Sequence, residues 1–267
     1  MLRDITIGQY YPADSVLHRL DPRVKLVSTL IYIISLFVFG SLIGYGVAAV
    51  FLASMIVISK VPFRFMVKGL KPIMVLLCIT LIFNLIFTPG KEVFSFWIIT
   101  VTEEGIALAV RMGIRLIFLI IGASLMTLTT TPNQLTDGLE RLLKPLNRIH
   151  VPVHEIAMIM SIALRFIPIL LDETDKIMKA QTARGADFES GGLIKKVKAM
   201  VPLLVPLFIS AFRRANDLAM AMEARCYHGG EGRTQMKPLV YKKRDYVAYA
   251  VVWAYLAVSI VFRVLGI

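Results

Sequence analysis

Between Leu26 and Ser59 no residue carries a charge. One helix through that run would be about 50 Å long at about 1.5 Å per residue, against a bilayer hydrocarbon core of about 30 Å. Gly40, Gly44 and Gly46 cluster at its middle. The run therefore reads as a helical hairpin with limbs near 25–40 and 43–59. Gly40 and Gly44 also form a GxxxG, but at a hairpin tip that spacing is turn punctuation before it is a dimer face.

The rest of the chain extends the same reading. Hydrophobic residues are 57% of the 267, and the mean hydropathy is +0.72, too apolar for a soluble domain of this size. Apolar runs at Pro72–Pro89, at about Gly105–Thr131 and at about Tyr246–Leu265 bring the expected spans to five. Lys60, Arg64, Lys68 and Lys71 fall in one connection, whereas Lys91, Glu92, Glu103 and Glu104 give the next a slightly acidic character, with an aromatic patch at Phe94, Phe96 and Trp97. Basic loops stay in the cytoplasm. The N-terminal segment, with Arg3, Arg19, Arg23 and Lys25, and the 60–71 connection are therefore expected inside, and 90–104 outside. Five spans then leave the C-terminus outside.

The fold class that follows is an all-α membrane protein of about five transmembrane helices plus a cytoplasmic or interfacial helical module. The expected domains are a four-helix transmembrane region at 1–131, the module at 132–245 and a C-terminal transmembrane helix at 246–267. The localisation is the cell membrane. The net charge of +12 fits cytoplasmic loops beside an anionic leaflet; no basic-aromatic surface motif accompanies it, and nucleic acid is not an expected partner. Cys78 and Cys226 fall in different phases and read as reduced thiols. The polar start Met1-Leu2-Arg3-Asp4 has no signal-peptide character.

Residues 132–245 hold eighteen Lys or Arg against twelve Asp or Glu. Helical pattern is present there without a clean span. A short amphipathic helix opens at Pro132-Asn133-Gln134 and runs to about Leu146. A second runs from Val153–Glu155 to Arg184 and a third from Leu193 to about Arg225, each about 45 Å long. Both long helices start apolar and end polar, as suits a membrane interface. Asp172→Lys176 and Asp175→Lys179 support an exposed helix surface. Ala211, Ala215 and Ala219 recur every fourth residue and offer a slim stripe for another helix to cross.

Catalytic and metal motifs fail on inspection. His154-Glu155 begins like HExxH, but position 158 is Met158; Pro152 separates His150 from His154. Gly232-Arg233-Thr234 lacks the rest of a P-loop, with Tyr227 where its first Gly belongs. No cofactor or metal is expected on this chain, and it is expected not to be an enzyme. Arg111 and Arg115 lie one turn apart near the outer end of the fourth span, placed for snorkelling or a partner contact, and Gly105, Ala109 and Gly113 give that span a small face. No span holds a matching carboxylate, which argues against the alternative of a secondary transporter with its own substrate site. A membrane enzyme would need a polar catalytic cluster, also missing.

Two helix ends remain. Ala183-Arg184-Gly185 and Ala224-Arg225-Cys226 close the second and third helices with the same Ala-Arg-small sequence. A basic residue in a last turn favours the helix dipole on its own account. Used twice, with slim flanks, it also presents a guanidinium fork suited to a groove lined by carboxylates or carbonyls.

These ends, with Ser15–Leu26, Ile162–Pro168, Ala180–Phe188 and Arg214–Tyr227, resemble the EcfT (CbiQ/EcfT) family of transmembrane coupling subunits of energy-coupling factor ABC transporters, over nearly the whole chain. The resemblance implies two ABC ATPase subunits of the EcfA type as partners, with ATP and Mg bound there and not here. It implies a substrate-binding S-component that captures a vitamin or a transition-metal ion. It places Arg184 and Arg225 in the two ATPase grooves, with Ala183, Gly185, Ala224 and Cys226 as flanks. The family's second signature usually carries Gly where this chain has Cys226.

Overall fold

The computed structural model describes residues 10–39, 41–96, 99–186, 188, 192–230, 236 and 238–265. Gly40, Trp97 and the Gly232–Thr234 stretch lie outside them. The fold is helical apart from one short hairpin. In order the elements are α1 (Pro22–Val38), α2 (Leu42–Ser59), α3 (Phe63–Lys68), α4 (Met74–Phe87), β1 (Glu92–Phe96), β2 (Ile99–Thr102), α5 (Glu103–Thr129), α6 (Pro132–Leu143), α7 (Val153–Ala183), α8 (Leu193–Glu223) and α9 (Lys243–Val264).

Local chemistry sets the helix starts. Asp21 caps α1, accepting the Arg23 N–H at 2.9 Å, with Pro22 at the first helical position. Thr102 caps α5 through the Gly105 N–H, and Glu103 and Glu104 fill its first turn. Thr131 and Gln134 exchange side chain and backbone bonds ahead of α6, a capping box.

Among the described residues, five helical stretches are long and apolar enough to cross a membrane: Leu42–Ser59, Phe63–Phe87, Glu103–Thr129, Val153–Ala183 and Lys243–Val264. The number equals the expected one, but the set differs. The first expected limb forms α1, whose 17 residues reach only about 26 Å between its Asp21 cap and an extended Phe39. The helix α7, expected at the interface, joins the set. The 60–71 connection holds α3, and the expected 90–104 loop contains an antiparallel β1–β2 ladder. Its β-branched content (Val93, Ile99, Val101) is the pattern of a strand pair.

The described contacts divide the chain into two compact units. The split unit joins Thr6–Gly138 to Leu239–Ile267, and the internal unit is Leu139–Pro238. The core of the split unit gathers Tyr32, Leu36, Tyr45, Leu52, Leu125 and Tyr255. The expected small face of α5 is buried and lies close to α4. A Cβ at Gly105 would stand 3.3 Å from the Asn84 and Leu85 carbonyls, and one at Gly113 would stand 3.1 Å from Leu81. Arg115 donates from Nε to the Tyr45 hydroxyl at 2.9 Å and sits over the Phe37 ring.

At the start of α9, Asp245 is 1% exposed. Its carboxylate accepts the Asp21 N–H at 2.9 Å and the Lys242 N–H at 2.8 Å, tying the starts of α1 and α9 together. Burial pushes the Asp21 carboxyl up. The bonds and charge of Arg23 outweigh that and hold it below the usual carboxylate range.

Candidate functional site

The internal unit is built on α7 and α8, each 31 residues long. Two bonds fix their relative direction. Glu173 pairs with Arg214 at 3.3 Å, and Gln181 donates from Nε2 to the Pro202 carbonyl at 3.3 Å. A later residue of α7 thus meets an earlier residue of α8, so the two helices run antiparallel. The second bond has a cause in the sequence. Pro206 has no N–H to give the Pro202 carbonyl four residues back, and Gln181 of the neighbouring helix satisfies that acceptor instead.

The two arginine ends share one backbone conformation. At the end of α7, Gly185 N–H bonds the Thr182 carbonyl and Ala186 N–H bonds the Gln181 carbonyl, both at 3.0 Å, with Gly185 at φ +88°. At the end of α8, Cys226 N–H bonds the Glu223 carbonyl at 2.8 Å and Tyr227 N–H bonds the Met222 carbonyl at 3.0 Å, with Cys226 at φ 54°. Both are Schellman closures. In each, arginine is the last residue before a left-handed position, glycine in one case and cysteine in the other. Ala183, Arg184, Gly185, Ala224, Arg225 and Cys226 are all exposed.

The ion pair marks the centre of this arrangement. Glu173 precedes Arg184 by eleven residues, and Arg214 precedes Arg225 by the same number. Each arginine therefore ends about 16 Å from the pair along its own helix. Because the helices are antiparallel, the two ends point apart and stand about 30 Å from each other.

Ala211, Ala215 and Ala219 lie on the side of α8 toward α7. With Ile162, Phe166 and Leu170 they line a cavity of about 270 Å³, so the small side chains leave room between the helices there. Arg225 and Cys226 share a second, larger recess with Ser161, Arg165 and His228. On α8, Val201, Leu204, Val205, Phe208, Ile209 and Phe212 are exposed, forming an apolar face along the half of the helix that precedes Arg213. At the start of α7, His154 Nδ1 lies 2.8 Å from Glu140, and Gly230 packs so closely on the imidazole that a Cβ would stand 2.4 Å from it.

Sequence reasoning located both arginine ends. It missed the Gln181–Pro202 bond and the Glu173–Arg214 pair. The Pro202-x-x-x-Pro206 spacing was the available signal for the first, since it leaves one carbonyl without a donor. The equal distance of Glu173 and Arg214 from their arginines was the signal for the second.

Residues 13–236 match the CbiQ family, described as cobalt transport protein. The chain is 56% identical over 266 residues to the energy-coupling factor transporter transmembrane protein EcfT of Clostridium kluyveri, covering 99% of this chain and 98% of that one. It is 55% identical to the protein of the same name in Ruminiclostridium cellulolyticum, over 92% of both chains. It is 47% identical to that of Bacillus subtilis, over 92% of this chain and 93% of the relative.

Proposed function

The chain belongs to the CbiQ/EcfT family of energy-coupling factor transporter transmembrane components, and from that membership we propose that it is the mechanical link between two ABC ATPase subunits and a substrate-binding membrane protein. The module at 132–245 does the coupling. ATP and Mg are bound and turned over on the ATPases, and this chain contributes no catalytic group or cofactor site. The cargo class is a vitamin or related micronutrient, selected by the S-component. The N-terminus and the module face the cytoplasm and the C-terminus faces outside, in agreement with the basic residues of every loop assigned inside.

One observation carries the reading. Two exposed arginines close antiparallel helices in the same Schellman geometry, about 30 Å apart. A single such end is an ordinary helix terminus. Two alike, pointing apart, suit two similar grooves on a pair of related subunits. Each guanidinium would make charge-assisted bonds inside its groove, while the antiparallel pair carries displacement from one end to the other. The apolar face of α8 would meet the S-component or lipid.

The test uses the whole complex in proteoliposomes. Arg184→Glu and Arg225→Glu, made singly, are expected to lower ATP-driven uptake at least about tenfold, since each removes a charge-assisted bond of about 1.5–3 kcal/mol. Membrane insertion should be unchanged. Two ATPases and a small membrane protein should co-purify with the wild-type chain. Undiminished uptake in both variants, or recovery of this chain alone with substrate bound to it, would overturn the proposal.

A further inference from the structure

Among the helices of the split unit lies a cavity of about 270 Å³, lined from α1, α2, α5 and α9. Most of its wall is apolar, with Tyr32, Phe51, Leu52, Leu125 and Val252 along it. From Arg244 to Val252 that wall follows α9 for about 12 Å. One end is different, for Lys25, Ser28 and Arg244 line it. Among the described residues no carboxylate lines the cavity.

The three polar groups have unused donors. Lys25 is 6% exposed, and its Nζ gives bonds to the His18 and Thr129 carbonyls at 3.3 and 2.7 Å. An ammonium carries three protons, so one remains. The Ser28 hydroxyl and Arg244 Nε are both buried, and neither finds a hydrogen-bond partner among the described residues. The nearest acids are already engaged. Asp21 is held by Arg23, and Asp245 accepts the Asp21 and Lys242 N–H groups. Two like charges thus repel across a buried space in which the Ser28 hydroxyl and Arg244 Nε still want acceptors.

We propose that this cavity holds one anionic membrane phospholipid, its phosphate oxygens on Arg244, Ser28 and Lys25 and one acyl chain along the apolar wall. The occupant follows from the complementarity. A phosphate supplies the acceptors and the negative charge that the polar end lacks. A bare anion would leave the apolar length unfilled. A zwitterionic lipid would bring a further cation to two that already repel. The polar end lies at the starts of α1 and α9, whose basic flanks belong beside an anionic leaflet. Val16 and Val247 at the rim are 60% and 62% exposed, which leaves a way in from the side.

The experiment takes the full-length chain, purified and delipidated in detergent, and counts retained lipid by native mass spectrometry. The probes are dioleoyl phosphatidylglycerol and dioleoyl phosphatidylcholine. Wild type is expected to keep one phosphatidylglycerol in preference to phosphatidylcholine. Arg244→Gln should weaken phosphatidylglycerol binding about fivefold, the worth of one basic residue near an anionic headgroup, and leave phosphatidylcholine unaffected. Ala248→Phe, which narrows the apolar wall and keeps both cations, should lower retention too. Millimolar inorganic phosphate should not displace the lipid. Equal retention of the two lipids by wild type overturns the proposal before any variant is made. So does a preference unchanged by Arg244→Gln. Displacement by inorganic phosphate with no effect of Ala248→Phe also overturns it, because it identifies a bare anion site.

Discussion

The split unit and the internal unit are held together in different ways. In the split unit several buried polar groups are paired across the core: Asp245 grips two backbone amides, and Ser35 and Tyr255 share a 2.9 Å hydrogen bond; Phe51 stacks on Tyr255 with ring centres 4.1 Å apart. In the internal unit only Val153 and Ala157 are buried among the described residues. Among the described residues its two long helices meet through a partly exposed ion pair, an amide–carbonyl bond and apolar side chains around a cavity. Where helices lie in lipid, close side-chain packing and interhelical hydrogen bonds favour their association. The split unit has a packed cluster of this kind around Tyr32, Leu36, Tyr45 and Tyr255, whereas α7 and α8 pack together more sparsely. A pair built in this way opens and shifts at low cost.

Removing a carboxylate from each unit tests that contrast most directly. Asp245→Ala strands the buried Asp21 amide and the part-buried Lys242 amide and is expected to lower the stability of the chain by about 3 kcal/mol, read as a drop in the denaturation midpoint in detergent. A loss below about 1 kcal/mol would erase the distinction between the units. Within the internal unit, the two arginine ends differ at the left-handed position. Gly185→Val should weaken the closure of α7 by about 1–2 kcal/mol, with faster amide exchange at positions 185 and 186. Cys226→Gly should strengthen the closure of α8 by up to about 1 kcal/mol and slow exchange at Tyr227; equal exchange at both ends in all three proteins would mean that the φ values do not matter. The smallest effect belongs to Glu173→Gln, expected to change stability by less than about 1 kcal/mol because the Arg214 pair is partly solvated. A loss as large as that of Asp245→Ala would place a real core in the internal unit.

What the sequence disclosed depended on range. The helices α7 and α8 were legible because their polarity changes along their length and each ends in Ala-Arg followed by a small residue. The start of α6 was legible from Pro132 and the residues that follow it. The knot at Asp245 was not, since its partner Asp21 stands 224 positions away and no periodicity links them. The β1–β2 ladder was hidden by its length: five residues and four are too few for an alternation to stand out from an aromatic loop. The short α1 escaped because an uncharged run shows where a helix can lie but not where its cap and its extended exit cut it. At Cys226 the chain makes a left-handed turn without the glycine that eases it at the other end, the same pair of backbone bonds closing both helices.

The Pro202 carbonyl has a consequence of its own. It is an acceptor that its own helix cannot use, and it holds the neighbouring helix through Gln181 one turn before Arg184. Bending of α8 at Pro206 moves that oxygen, and movement of the α7 terminus moves its donor. Either displacement stretches the same bond. A carbon-13 label in this one carbonyl would therefore act as a spectroscopic strain gauge, its infrared band shifting to higher frequency whenever the two helices part.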